Sequence, residues 1–291
     1  MAVLLGTCVL ACATGAGGAG TAGGAGTASW ADGATRATGI GLTTAFGVGA
    51  RTASTAQRVK LGAHISPERL GAGTTIEFST QISAPAGRLV PSPLSELDLR
   101  YPAKIGLATS GLGRATCTAQ VLENIGAKGC PANALMGFGN ALLEIQAGAE
   151  VVHEAGVISI WMGPVADEEF QLLFYANAVT PASEQLVFGG LIEEAGAPFG
   201  GSLNTQIPPI PWNPEAPPAS IARFSARIGP QNITYYRRAG GREIPYRPEG
   251  LRLPHSCPPG GFPFAATFKF MDGTSATAQT SVPCPRAAAS R

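Results

Sequence analysis

The sequence predicts an all-β protein, a β-sandwich of roughly ten antiparallel strands with one short helix and a flexible N-terminal segment. Apolar and polar residues alternate along much of the chain beyond residue 58, which buries one face of a strand and leaves the other in water. Glycine and proline are abundant, at 39 and 24 of 291 residues. Only one segment has the pattern of a helix. Short strands between Gly- and Pro-rich turns favour a sandwich, with a closed barrel as the alternative.

The N-terminus resembles an export signal. Residues 2–13 form an apolar stretch, and Ala11-Cys12-Ala13 fits the pattern of small residues before a cleavage site. The stretch also resembles a lipobox, in which Cys12 would carry a lipid. Because the first basic residue is Arg36, a third interpretation is an apolar start without a targeting role. We expect residues 1–13 to be signal-like and the protein to be secreted or at the cell surface.

Residues 14–57 are rich in Gly, Ala and Thr. They contain few large side chains that could be buried, and ordering such a chain costs backbone entropy. We therefore expect a flexible linker over 14–57 and a β-sandwich domain over 58–291.

Alternation places the strands. It is clear at 76–82 and 94–101, whereas both faces are apolar at 157–162, which predicts a central strand. Further strands are predicted at 170–178, 185–193, 199–207, 219–228 and 232–238.

A hairpin and the helix complete the predicted elements. The phenylalanines of 262–270 share one face, an Asp-Gly pair supplies a turn, and 276–282 forms the return strand. Thr118 can cap a helix that Gly126 ends.

Four cysteines lie in the predicted domain, and short separations favour the pairs Cys117–Cys130 and Cys257–Cys284. The second bond would join the open ends of the C-terminal hairpin. Metal binding is the rival interpretation, which is weaker because the chain has no C-x-x-C pair.

Composition excludes several classes of function. A net charge of +1 with 13% charged residues argues against a nucleic-acid-binding protein. No apolar run reaches the roughly 18 to 20 residues of a membrane-spanning helix. Neither G-x-S-x-G nor H-E-x-x-H occurs, so we assign no catalytic residue and expect no cofactor.

Charge is unevenly distributed. Residues 129–222 contain ten acids and no Lys or Arg, whereas 223–252 contain seven arginines. These segments could bind partners of opposite charge. The interpretation that we favour is that the strands pair in the fold and neutralise each other.

Two segments are candidate ligand-binding sites. Trp212 lies in a proline-rich stretch, where a stiff, exposed ring could stack on a sugar. The other segment combines aromatic rings with cations: Tyr235, Tyr236, Arg237 and Arg238. Alternation along a strand leaves only one of these tyrosines free. For both segments, a packing role is the alternative.

A weaker candidate is a calcium site at Asp167, Glu168 and Glu169, in a loop between two predicted strands. Calcium requires six to eight oxygen ligands, and no EF-hand-like spacing is present. A solvated turn is the favoured interpretation.

Four stretches carry a resemblance to a family. These are SPERLGAGTTIEF at 66–78, TSGLGRATC at 109–117, GCPANALMGFGNA at 129–141 and PHSCPPGGFPFAATFKFMDGTSATAQTSVPCP at 254–285. They resemble an uncharacterised group of secreted proteins of actinobacteria. The resemblance covers about residues 58–285. It implies export, an all-β fold and paired cysteines, and carries over no catalytic residues.

These observations together predict an exported, non-catalytic binding or structural component of the cell envelope. Its partner is unknown, with an envelope polymer or an envelope protein as the candidates. The alternative is a secreted hydrolase acting on glycans, which needs two carboxylates about 5 to 10 Å apart across a cleft. A passive surface component without a discrete ligand is a third interpretation.

Overall fold

The computed structural model describes residues 56–107, 115–165, 170–178, 184–211, 217–229, 234–247 and 250–285. The predicted signal at 1–13 with Cys12, and all but the last two residues of the predicted linker, lie outside the described residues. The first strand begins at Arg58, where the sequence predicts the domain to begin.

The described residues form fifteen strands, one α-helix and two 3₁₀ turns. The strands are β1 (Arg58–Ser66), β2 (Gly73–Ser83), β3 (Leu94–Pro102), β4 (Gly106–Leu107), β5 (Leu135–Ala147), β6 (Glu150–Met162), β7 (Phe170–Ala178), β8 (Glu184–Glu193), β9 (Phe199–Gln206), β10 (Ser220–Ile228), β11 (Tyr235–Ala239), β12 (Arg242–Tyr246), β13 (Leu251–Arg252), β14 (Phe262–Phe270) and β15 (Ser275–Val282). The helix is α1 (Ala119–Ile125), and the 3₁₀ turns are Ala127–Gly129 and Ala132–Ala134.

Eleven strands follow one antiparallel path in the order β1-β2-β10-β5-β6-β7-β8-β9-β3-β14-β15. β1 also lies beside β15, so that the sheet nearly closes into a barrel. The short β13 and β4 extend the sheet next to the start of β2, and β11 and β12 form a separate two-stranded sheet. The all-β, antiparallel fold class is confirmed, and the single path corresponds to the barrel alternative.

Alternation along the strands builds the core of the barrel. In β14, Phe264, Phe268 and Phe270 face inwards and are buried. They join apolar side chains from the other strands of the wall in one large cluster. A smaller cluster lies at the end of the barrel where β14 begins, around Phe262 and Leu253.

The helix covers part of the outer face of the barrel. Thr118 caps α1 by accepting a hydrogen bond from the Val121 backbone N–H at 3.3 Å, as the sequence predicts. Leu122 is fully buried against Trp161 and other residues of β6 and β7. The apolar outer face near the end of β6 is therefore explained by α1. No helix among the described residues is long and apolar enough to cross a membrane.

The strand predicted at 157–162 is only partly covered. It forms the end of β6, between β5 and β7, but Val157 is 64% exposed on the outer face. The prediction of a strand apolar and buried on both faces is therefore wrong at Val157 and right at Trp161, where α1 covers the sheet.

The strand β5 has no counterpart among the predicted strands, because its glycines interrupt the pattern. A Cβ on Gly137 would lie 2.0 Å from the carbonyl oxygen of Arg227, and a Cβ on Gly139 would lie 2.4 Å from that of Ser225. The close approach of β10 thus requires glycine at these positions. The residues that obscured the strand are the ones that allow it to pair.

Both predicted disulfides are confirmed. Cys117–Cys130 joins the residue before the α1 cap to the start of β5, with Cα atoms 5.3 Å apart. Cys257–Cys284 has a Cα–Cα distance of 5.8 Å and joins the open ends of the β14–β15 hairpin. The four cysteines are therefore occupied as sulfur–sulfur pairs rather than as metal ligands.

Candidate functional site

The interior of the barrel contains two apolar cavities. Their volumes are about 60 Å³ and about 150 Å³. They are stacked along the barrel and share Phe78, Leu99 and Leu203 as lining residues. An eight-stranded barrel is just wide enough for its own side chains, so an eleven-stranded path leaves more interior to fill. The cavities are the space that these side chains do not fill.

The first cavity lies towards the end of the barrel where β7 ends and β8 begins. Small residues of the wall open it, including Ala141, Gly156 and Ala176, while Phe174 and Phe188 stack on each other at 5.1 Å between ring centroids.

Polar groups also line this first cavity. Asn177 and Glu184 lie at the ends of the paired strands β7 and β8, and Thr80 and Thr205 belong to β2 and β9. Ligand pockets typically combine an apolar lining with a few polar groups that orient the ligand. This cavity therefore has the composition of a site for an apolar molecule with one polar end.

The second cavity lies towards the opposite end of the barrel. Its lining is almost wholly aliphatic or aromatic and includes Met136, Met162, Ile192 and Tyr101. Burial raises the pKa of the Tyr101 hydroxyl above its usual range, so this group remains neutral at physiological pH. Methionine side chains are flexible and polarisable, and they suit a pocket whose contents vary in shape.

His153 and Glu154 are adjacent but serve different surfaces. His153 is exposed, and its Nε2 lies 3.6 Å from Oε1 of Glu144 across the β5–β6 pair. Glu154 faces inwards and is buried. Because neighbouring side chains of a strand point to opposite faces, the two cannot act as one acid–base pair. His153 is a strand residue in a cross-strand ion pair, which is the ordinary role expected for it.

The β11–β12 hairpin carries the predicted aromatic and cationic residues. Tyr235 is fully buried, whereas Tyr236 is 51% exposed, as alternation along the strand predicts. The Tyr235 hydroxyl donates a hydrogen bond to the carbonyl oxygen of Leu135. Its burial, and to a lesser extent Tyr246, raise its pKa well above the usual range. Tyr235 is therefore an anchor for the hairpin and is not available to a ligand.

The arginines of this hairpin face solvent. Arg237, Arg238 and Arg242 are exposed, and so is Arg247 just beyond β12. Four arginines against Glu243 give the hairpin a net charge of +3. Nε of Arg238 lies 3.9 Å from Oε1 of Glu243, with both side chains more than half exposed, so the pair screens the charge only weakly.

The predicted mutual neutralisation of the acidic and arginine-rich segments is not what the described ion pairs show. Arg227 of β10 binds Glu77 of β2, with Nη2 and Oε2 2.6 Å apart. Arg238 faces Glu243 of its own hairpin. Both acids lie outside the 129–222 segment. The prediction of cross-strand pairing is correct in kind and wrong in the identity of the partners.

Two candidate sites fall outside the described residues. These are Trp212 and the weak calcium candidate Asp167, Glu168 and Glu169. Within the residues that are described, no group of three or more His, Cys, Asp or Glu side chains is arranged to hold a metal ion.

Comparison with known proteins adds no relative: no family model, no curated protein and no solved structure matches the chain. The sequence analysis did not find the cavities. Their signal is the alternation of small and large residues along inward faces, such as Gly156 and Ile158 of β6. That signal is readable only when the inward faces of neighbouring strands are known.

Proposed function

We propose that this chain is an exported, non-catalytic binding protein of the cell envelope, and that its ligand is a slender apolar molecule held inside the barrel. The two stacked apolar cavities carry the proposal. The two disulfides support the export part, because such bonds persist in oxidising compartments. Membership of the secreted actinobacterial group remains a part of this proposal.

The dimensions of the cavities limit the ligand. An apolar cavity of about 150 Å³ is large enough for a benzene ring. The two cavities are divided by Phe78, Leu99 and Leu203, so a ligand that occupies both must be narrow enough to pass between these side chains. An unbranched alkyl chain meets this requirement better than a fused ring system.

The polar end of the ligand is placed by the first cavity. Asn177 and Glu184 offer hydrogen-bond acceptors at the end of the barrel, whereas the lining of the second cavity is almost entirely apolar. We therefore favour an alcohol, amide or amine head group over a carboxylate, which Glu184 would repel. Each buried CH₂ contributes about 0.8 kcal/mol, against an association cost of about 4 kcal/mol or more, so a ten-carbon chain should bind in the micromolar range or more weakly.

The proposal is tested by fluorescence titration with the uncharged dye N-phenyl-1-naphthylamine, followed by displacement with linear alcohols of increasing length. We expect saturable binding of the dye and stronger displacement by longer chains. Ala176→Leu narrows the first cavity and Ile192→Phe the second, so each should lower dye affinity about tenfold or more.

Ala155→Leu is the matched control, because Ala155 is exposed on the outer face of β6. Its dye affinity should equal that of the unmodified chain. Circular dichroism and melting curves establish that each variant is folded. Absence of saturable binding, or equal affinity in all three variants, would contradict a ligand in the interior.

A further inference from the structure

The β11–β12 hairpin is a second candidate surface, separate from the interior of the barrel. It forms its own two-stranded sheet, with the register Tyr236↔Pro245 and Arg237↔Ile244. Gly240 and Gly241 close its tip with φ of 58° and 75°, which glycine adopts without strain. Apart from Tyr235 and the half-buried Tyr246, its strand residues are exposed.

The hairpin is held firmly at its base. The Tyr236 backbone N–H donates to Oδ1 of Asn133 at 3.0 Å, and the Asn133 side-chain amide donates to the Tyr236 carbonyl oxygen at 2.6 Å. The Tyr235 ring packs in the main core, 5.7 Å from that of Tyr246. The exposed side chains are therefore presented on an anchored base, which limits the entropy lost on binding.

Exposed apolar side chains accompany the positive charge. Tyr236 is 51% exposed and Ile244 is 40% exposed, each across the hairpin from a different neighbour. The arginines lie beside them and towards the tip. Cations next to an aromatic ring and an aliphatic side chain match the boundary of a bilayer, where phosphate groups lie next to acyl chains. A soluble anionic polymer would use the arginines and leave Ile244 without a partner.

We propose that the β11–β12 hairpin docks this protein onto an anionic phospholipid bilayer. The arginines would bind lipid phosphates, and Tyr236 and Ile244 would enter the interface between head groups and acyl chains. The hairpin is anchored at Asn133 and Leu135, next to Met136 of the second cavity, so docking would bring that end of the barrel to the lipid surface. The inference does not depend on the proposed ligand, since it rests on exposed residues alone.

Vesicle flotation with the whole chain tests the proposal. One set of vesicles contains phosphatidylcholine only, and the other contains about one third phosphatidylglycerol. We expect binding to the anionic vesicles that weakens as ionic strength rises. In the triple variant Arg237→Gln, Arg238→Gln, Arg242→Gln the partition coefficient should fall about 100-fold, at about fivefold per arginine.

A matched variant removes the same charge elsewhere. Arg58→Gln, Lys60→Gln, Arg223→Gln neutralises three cations of β1 and β10. It should lower the partition coefficient less than about fivefold, since these residues would not contact the surface. Because the N-terminal apolar stretch is present in every variant, its own affinity for lipid cancels in the comparison. Equal losses in the two triple variants would overturn the proposal, as would failure to bind the anionic vesicles.

A third variant separates a bilayer from a soluble polyanion. Tyr236→Ser combined with Ile244→Ser should lower partition onto anionic vesicles about tenfold, because it removes apolar contact with lipid. The same variant should bind dextran sulfate as the unmodified chain does. If the chain binds dextran sulfate through the arginines, and the Tyr236 and Ile244 changes leave vesicle binding unaltered, the surface recognises an anionic polymer and the bilayer proposal is wrong.

Discussion

The barrel wall and the β11–β12 hairpin are both antiparallel strands with alternating side chains, yet they differ in what covers them. In β14, Phe264 and Phe268 are at most 1% exposed, because strands on both sides and the opposite wall enclose them. In the hairpin only Tyr235 is buried to that degree, and Arg238 and Ile244 face solvent. The difference shows that a face of a strand becomes core only where other elements surround it.

The largest expected effect is on the barrel side of this comparison. Phe268→Ala removes a fully buried ring and leaves a cavity, so it should lower the free energy of unfolding by about 3 to 5 kcal/mol. Urea denaturation measures this change. Tyr236→Ala, which removes an exposed ring of the hairpin, should change it by about 0.5 kcal/mol or less. Similar losses in the two variants would mean that the hairpin belongs to the cooperative core.

A smaller effect is expected where the two regions meet. Tyr235→Phe retains the ring and removes the hydroxyl that donates to the Leu135 carbonyl, so stability should fall by about 1 kcal/mol. Hydrogen exchange should quicken for the amides of β11 and β12 more than for those of β14, because the lost bond is an anchor of the hairpin. In Tyr236→Phe, by contrast, exchange should remain as in the unmodified chain. Uniform acceleration across the barrel after Tyr235→Phe would contradict this local role.

The smallest effect concerns the charged pairs of the two regions. A hydrogen bond from Lys269 across β3 and β14 lowers the pKa of Glu96, even though burial opposes the shift. The folded state thus favours ionised Glu96, and its contribution is present at neutral pH and is lost as the pH falls below about 4. Glu96→Gln should lower stability at pH 7 by less than about 1 kcal/mol.

The pH dependence gives this last prediction its control. The stability difference between Glu96→Gln and the unmodified chain should shrink as urea midpoints are measured at successively lower pH. For Glu243→Gln, which removes one partner of the exposed Arg238 pair at 3.9 Å, the midpoint should hardly change at pH 7. A Glu96 effect that grows on acidification would show that the sign is wrong.

Much of the fold was predictable because its causes are local. The strands predicted at 170–178 and 262–270 have those bounds in the structure, and Thr118 and Gly126 delimit α1. Both disulfides were also predictable, since short separations and a hairpin bring the cysteines together. β5 was missed because the need for Gly137 and Gly139 arises in β10, about 90 residues away in sequence.

The candidate sites were less predictable than the fold. Alternation correctly separated a buried Tyr235 from an exposed Tyr236, because that choice depends only on strand geometry. The partner of Arg227 could not be predicted, because it depends on which strand lies beside β10. The cavities could not be predicted either, since each is lined by residues from most strands of the wall.

By itself the sequence determined the strands, the helix and its cap, the turns and the cysteine pairs, because periodicity, capping and turn chemistry act over a few residues. Only the tertiary structure decided that the strands form one nearly closed path, that α1 covers Trp161 but not Val157, and that the interior retains two cavities. These outcomes depend on which distant segments become neighbours. The order of strands sets that proximity, and no local pattern encodes it.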